Sequence, residues 1–163
     1  MKNKSAVFLT TAAAIAAIYV VLTMLFAPFS FKEVQVRLSE ALTILPYFTV
    51  AAVPGLFVGC ILANILGGAI VWDVIFGSIA TLIGAVLTRR LASKSKWLAP
   101  VPPIISNTLI VPLVLRFGYG VNLPVPFMML TVCIGEVISC GVLGMLLLEA
   151  LSRYGKTLFP KHD

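Results

Sequence analysis

Long apolar runs punctuated by basic residues constrain this chain more than any other feature. Ala6–Phe26 carries no charge, and further apolar stretches cover Ala41–Ile70, Val74–Thr88, Leu98–Leu115 and Phe127–Leu148. Runs of about 20 apolar residues have the length of a membrane helix, and in lipid such runs satisfy their backbone polar groups by folding as helices. Only 11% of the 163 residues are charged and 60% are hydrophobic, against roughly 25% charge in soluble domains. The expectation is one all-α integral membrane domain over residues 1–163. No repeat joins the two halves, which argues against an inverted-repeat carrier.

The start Met1-Lys-Asn-Lys followed by an apolar run imitates a signal peptide, but Phe26-Ala-Pro-Phe29 is a poor cleavage site, so this run is expected to stay as a span. The block Ala41–Ile70, interrupted at Pro54-Gly55, is long for one crossing and short for two. Charge parity decides. If the block crosses twice, Lys2, Lys4, Arg89, Arg90, Lys94, Lys96, Arg153, Lys156 and Lys161 share one side, opposite Lys32, Arg37 and Arg116. The positive-inside rule then predicts six helices with both termini cytoplasmic. Their expected spans are about 6–26, 36–53, 55–71, 73–90, 98–117 and 126–151. The net charge of +6 belongs to this orientation signal and not to a nucleic-acid face.

Between the first two runs lies the most polar stretch, with Lys32, Glu33, Gln35, Arg37, Ser39 and Glu40. Leading directly into a membrane helix, it is placed to line the mouth of a cavity. Arg37 and Glu40 pair with each other in one reading and bind a ligand in the other. Glu136 lies about 15 Å along the last helix at 1.5 Å per residue, far in sequence from any lysine or arginine. An intramembrane carboxylate is a functional candidate by default; the bland readings are a protonated carboxyl bonded to a neighbouring helix, or a structural ion pair. Cys133 and Cys140 flank it at i−3 and i+4, making a narrow face.

Asn64, beside Gly67-Gly68, reads as a helix bridge. Asn107 has the same bland reading, but Pro112 frees a carbonyl near Thr108 and its kink is placed to aim Ser106 and Asn107 into a pocket. Asp73 is expected to cap a helix, Trp72 to be a belt residue or a stacking surface, Arg116 to snorkel outward, and Glu149 to pair with Arg153 at i,i+4. Ala12/Ala16 and Ala13/Ala17 are small-xxx-small pairs that serve either packing within the chain or contact with another membrane protein.

Metal and nucleotide chemistry find no support. Cys60, Cys133 and Cys140 have no CxxC spacing, His162 is the single histidine, and there is no Walker loop. No cofactor is expected, and the residues suit a binder better than an enzyme.

At Val34-Gln-Val-Arg-Leu-Ser-Glu-Ala-Leu-Thr-Ile-Leu-Pro46 the chain resembles the QueT family, substrate-binding S components of energy-coupling-factor (ECF) importers. Further matches are Ala63–Gly68, Asp73–Leu82, Leu98–Pro103, Asn107–Val111 and Gly135–Cys140, so the resemblance covers nearly the whole length. It implies a six-helix bundle that captures queuosine precursors, 7-deazaguanine bases, from outside a prokaryotic cell. It also implies a transmembrane coupling subunit and two cytoplasmic ATPases as partners, an alanine face (Ala12, Ala13, Ala16, Ala17) docking on that subunit, and delivery by toppling of the bundle in the membrane. For such a ligand Glu136 accepts two adjacent N–H groups and Asn107 supplies donor and acceptor. Glu40 or Asp73 meets a cationic arm, Gln35 and Arg37 close over the base, and Trp72 or Tyr47 stacks on it. The rival readings are an S component for another small vitamin or base, a scaffold subunit, a proton-coupled carrier or channel using Glu136 as relay, and, last, a membrane enzyme.

Overall fold

In the computed structural model, residues 2–26, 37–92 and 94–158 are described, and among them every regular element is helical. Helix α1 is Lys2–Leu25, α2 Ala52–Leu66, α3 Val71–Leu91 and α4 Val101–Leu113, the last prolonged by a π turn, Val114–Gly118. Helix α5, Val125–Glu136, passes through a π turn, Val137–Leu143, into α6, Gly144–Leu158. Four stretches of the described chain are long and apolar enough to cross a membrane: Lys4–Leu25, Val71–Leu91, Lys96–Gly118 and Val125–Tyr154.

The other two apolar elements are shorter than expected. The helix anticipated over 36–53 is a 3-10 helix, Leu38–Tyr47, about 20 Å long at roughly 2.0 Å per residue. Helix α2 spans about 22 Å, also less than the ~30 Å hydrocarbon core. Pro46 helps to explain the 3-10 form: it lacks the N–H that an α-helix would send to Leu42 and its ring crowds that carbonyl. Ser39 through Pro46 are all buried, so this poorer backbone geometry is shielded by protein on every side, where membrane proteins tolerate it.

The 3-10 helix is the axis of the bundle. At one end Arg37 lies beside Asp73; at the other the Pro46 carbonyl accepts from Arg89 at 3.4 Å, so it runs lengthwise along α3. Helix α1 runs the opposite way beside it: Thr23 donates to Ser39 at 2.7 Å and Tyr19 to Glu40. On a third side α6 closes in, where a Cβ on Gly144 would come within 3.1 Å of Ile44. Tyr19, Ile44, Leu56 and Leu148 are among the largest fully buried side chains of the core around this axis.

Helices α1 and α2 meet through small residues. A Cβ on Gly55 would stand 2.7 Å from the Ala12 carbonyl oxygen, and one on Gly59 3.0 Å from the Ala16 Cα. Ala12 and Ala16 are thus used in packing within the chain, whereas Ala13 and Ala17 lie on the outer surface. Close approach of this kind is how helices associate in lipid, where no hydrophobic force drives them together.

Candidate functional site

Three elements bring polar groups to one buried point. The 3-10 helix supplies Glu40, α4 supplies Asn107, and the junction of α5 with its π turn supplies Glu136 and Cys140. The Asn107 amide donates to Glu136 Oε1 at 3.0 Å and to Glu40 Oε2 at 3.4 Å, bridging two carboxyl groups. The other oxygen of each also accepts: Tyr19 donates to Glu40 Oε1, and the Cys140 thiol to Glu136 Oε2 at 3.1 Å. Thr43 completes the ring, 3.3 Å from the Cys140 sulfur and donating to the Glu40 carbonyl at 2.6 Å. Glu40, Asn107, Glu136 and Cys140 are all buried. The π turn begins immediately after Glu136, the kind of helix irregularity that often marks a functional site.

A second polar group sits toward the start of α3. Arg37 donates to Asn64 Oδ1 at 3.3 Å and lies 3.6 Å from Asp73 Oδ2. Tyr119, in the loop between α4 and α5, donates to the same Asp73 oxygen at 3.1 Å and accepts from the Ile70 backbone N–H at 3.4 Å. Burial first, and then the charge of Asp73, push the Tyr119 phenol above its ordinary range, so it stays a donor at neutral pH. Asn64 also donates to the Asp73 backbone carbonyl at 3.2 Å, a bridge between α2 and α3.

The two groups border one cavity, lined by Arg37, Glu40, Gly77, Thr81, Asn107, Val111 and Glu136, of only about 10 Å³. That is room for about one water. A bicyclic base enters only if these walls part and the side chains exchange their mutual hydrogen bonds for bonds to it. One ligand atom from each of Glu40, Glu136 and Cys140 lies within 4.8 Å of the others; the i,i+4 spacing of Glu136 and Cys140 was visible in the sequence, and the approach of Glu40 was not. The Asn107 N–H groups point at both carboxyl groups, so the cluster is held by its own hydrogen bonds.

The structure thus gathers Glu136, Asn107, Glu40 and Arg37 on one cavity, with Asp73 directly behind Arg37. It does not bring Trp72 or Tyr47 to that cavity. Trp72 is stacked on Phe76, centroids 5.9 Å apart, and faces an apolar groove of about 450 Å³ with Leu113, Val114 and Phe117. Tyr47 follows Pro46 at the Arg89 end of the axis, edge-on to Phe48. Gln35 falls outside the described residues. Several local pairings also differ from expectation. Asp73 makes no cap: the N-cap of α3 is Ile70, and Asp73 is drawn inward by Arg37. Arg37 pairs with Asp73, not with Glu40. Glu149 pairs with Lys96 at 2.9 Å in place of Arg153, and Arg116 folds back to donate to the Val121 carbonyl and Asn122 Oδ1, both at 3.1 Å. Tyr19, Thr43 and Cys140 were not singled out as site residues. Tyr19 carried no distinguishing signal: it is one hydroxyl among several in α1, with Thr10, Thr11 and Thr23.

Comparison with known proteins finds transporters. The family model described as QueT transporter matches residues 9–153. A curated relative, the queuosine precursor transporter QueT of Lactococcus lactis subsp. cremoris (strain MG1363), is 32% identical over 104 residues, a stretch covering 60% of each chain. No solved structure matches. A family of transporters points away from enzymatic activity, and the apolar helices are those of a membrane protein. With nearly its whole described length matched, the chain belongs to the QueT transporter family.

Proposed function

We propose that this protein is the substrate-capture subunit of an ECF importer, binding a 7-deazaguanine precursor of queuosine in the cavity between the 3-10 helix, α4 and α5. The observation that carries the reading is the Glu40–Asn107–Glu136 bridge inside a member of a transporter family. Two carboxyl groups held by one amide form a receptor for adjacent N–H donors, which is what a guanine-like edge presents. Glu136 takes that edge and Asn107 turns to the ring carbonyl and nitrogens. Arg37 lies toward the start of α3, on the side from which the ligand would enter.

Six crossings with both termini cytoplasmic fit the contacts. The 3-10 helix running lengthwise from Asp73 to Arg89 is the second crossing, enclosed by protein along Ser39–Pro46, and α2 is the third. Lys4, Arg89, Lys96 and Arg153 then share one face of the membrane. Ala13 and Ala17, left outward by the α1–α2 contact, are the part of the alanine face available to a transmembrane coupling subunit. Two ATPases joined to that subunit drive transport in this scheme, and the bundle topples to deliver its ligand.

The test is ligand binding to detergent-purified protein, with 7-deazaguanine precursors compared with guanine, riboflavin and thiamine. Selective precursor binding that Glu136→Gln weakens tenfold or more, about 1.4 kcal/mol, supports function and site together. Binding untouched by the substitution moves the site, and preference for another compound moves the substrate. Absence of precursor binding refutes the reading.

A further inference from the structure

Helices α3 and α4 touch at two places and part between them. At one end a Cβ on Gly84 would come within 2.8 Å of the Pro103 Cα; at the other, a Cβ on Gly118 would come within 2.8 Å of the Ile70 side chain and 3.4 Å of the Trp72 Cβ. Between these contacts lies the apolar groove of about 450 Å³, walled by Trp72 and Phe76 on α3 and by Ile110, Leu113 and Phe117 on α4 and its π turn. Pro112 and the π turn fall on this stretch, so α4 departs from regular winding where the groove opens. Along α4 the groove runs from Ile110 to Gly118, about 12 Å at 1.5 Å per residue. Both helices belong to stretches long and apolar enough to cross a membrane, and Trp72, Leu113 and Phe117 are all exposed, so the groove faces lipid. Its far side backs onto the polar cavity: Phe76 and Ile110 face the groove, and the next residues, Gly77 and Val111, line the cavity.

The walls narrow the choice of occupant. No lining residue is charged. An extended peptide would bring backbone N–H and C=O groups that nothing here satisfies. An α-helix is about 10–12 Å across with its side chains, so two turns take up on the order of 1,000 Å³; a partner helix could bridge the rim but not fill the recess. A hydrocarbon chain is slim enough and needs no hydrogen bond. Trp72 stands at the start of α3 beside the polar Asp73 and Tyr119, where an aromatic residue suits the headgroup level. We propose that the groove is a specific site for one acyl chain of a membrane phospholipid, with the headgroup at the Trp72 end. The inference requires the membrane location of the chain and is independent of the deazaguanine reading.

The experiment uses the full-length protein in detergent with Trp97→Phe, which leaves Trp72 as the single tryptophan. It follows quenching of Trp72 fluorescence by a phospholipid brominated on its acyl chains. Leu130→Trp in a chain lacking both native tryptophans reports the ordinary lipid shell, since Leu130 is exposed on α5. Quenching of Trp72 is expected to reach half its limit at a lipid fraction about fivefold lower than in that control, and Ile110→Phe with Leu113→Phe, which fills the groove, to bring the two within about twofold. One shared curve for Trp72 and the control leaves only the lipid shell and overturns the inference. So does a low half-point that survives the filling. Should the filled chain not elute as a single species, Phe117→Ala removes a wall at an exposed position and is expected to raise the half-point about twofold or more; no change there also overturns the inference. A Trp72 that lipid fails to quench refutes it too, and elution as a dimer then assigns the groove to a second copy.

Discussion

Removing the Asp73 carboxylate gives the sharpest test of the architecture. Asp73→Ala removes the carboxylate now 3.6 Å from the guanidinium of the buried Arg37, and strips Tyr119 of its acceptor. Breaking one side of a buried pair costs about 3–5 kcal/mol, because the remaining charge stays buried. At roughly 2–4 °C per kcal/mol for a domain of this size, the melting temperature in detergent falls by about 6–20 °C. The control is the double variant Arg37→Leu with Asp73→Leu, which removes both charges and restores apolar volume. It is expected to recover most of the loss, since the desolvation cost disappears with the charges. Thermal unfolding of the single and double variants in one detergent measures both numbers. A single variant within about 1 kcal/mol of wild type, or a double variant no more stable than the single, refutes the claim that this pair is buried and interdependent.

Other consequences follow from the same geometry. Gly55→Val places side-chain atoms where a Cβ already lies 2.7 Å from the Ala12 carbonyl, and overpacking there is expected to cost about 1–3 kcal/mol in thermal unfolding. Tyr119→Phe removes one donor to Asp73 and is expected to cost about 1–2 kcal/mol at pH 7. Because the folded state raises the Tyr119 phenol above its ordinary value of 10.0, this contribution is fully present below pH 10 and lost as pH rises through the higher folded value. The gap in melting temperature between wild type and Tyr119→Phe should accordingly close at strongly alkaline pH, and a constant gap would refute the assignment. Lys96→Ala, which breaks a pair that is 39% and 58% exposed, should leave the melting temperature unchanged.

Much of this protein can be read without coordinates. Run length and charge anticipate α1, α3, α4 and the α5–α6 rod, because lipid demands about 20 apolar residues per crossing whatever they pack against, though the rod runs on to Leu158, seven residues past its expected end. The deep position of Glu136 and the polar spacing around Arg37 and Glu40 were equally visible, since an ionisable group in an apolar run stands out on its own. The form of residues 38–47 was not visible. Their composition reads as an α-helix, and the 3-10 geometry depends on burial from all sides as well as on Pro46.

The residues alone therefore determined that this chain lives in a membrane, where most of its helices lie and which few side chains are too polar to be filler. Only the tertiary structure decided who meets whom: Glu40 with Tyr19 and Asn107, Arg37 with Asp73, Glu149 with Lys96, and Ala12 and Ala16 with Gly55 and Gly59. The physical reason is range. Helical periodicity reports a side chain's neighbours within one turn, whereas a buried charge takes whichever partner the packing of other helices brings close enough to offset its desolvation.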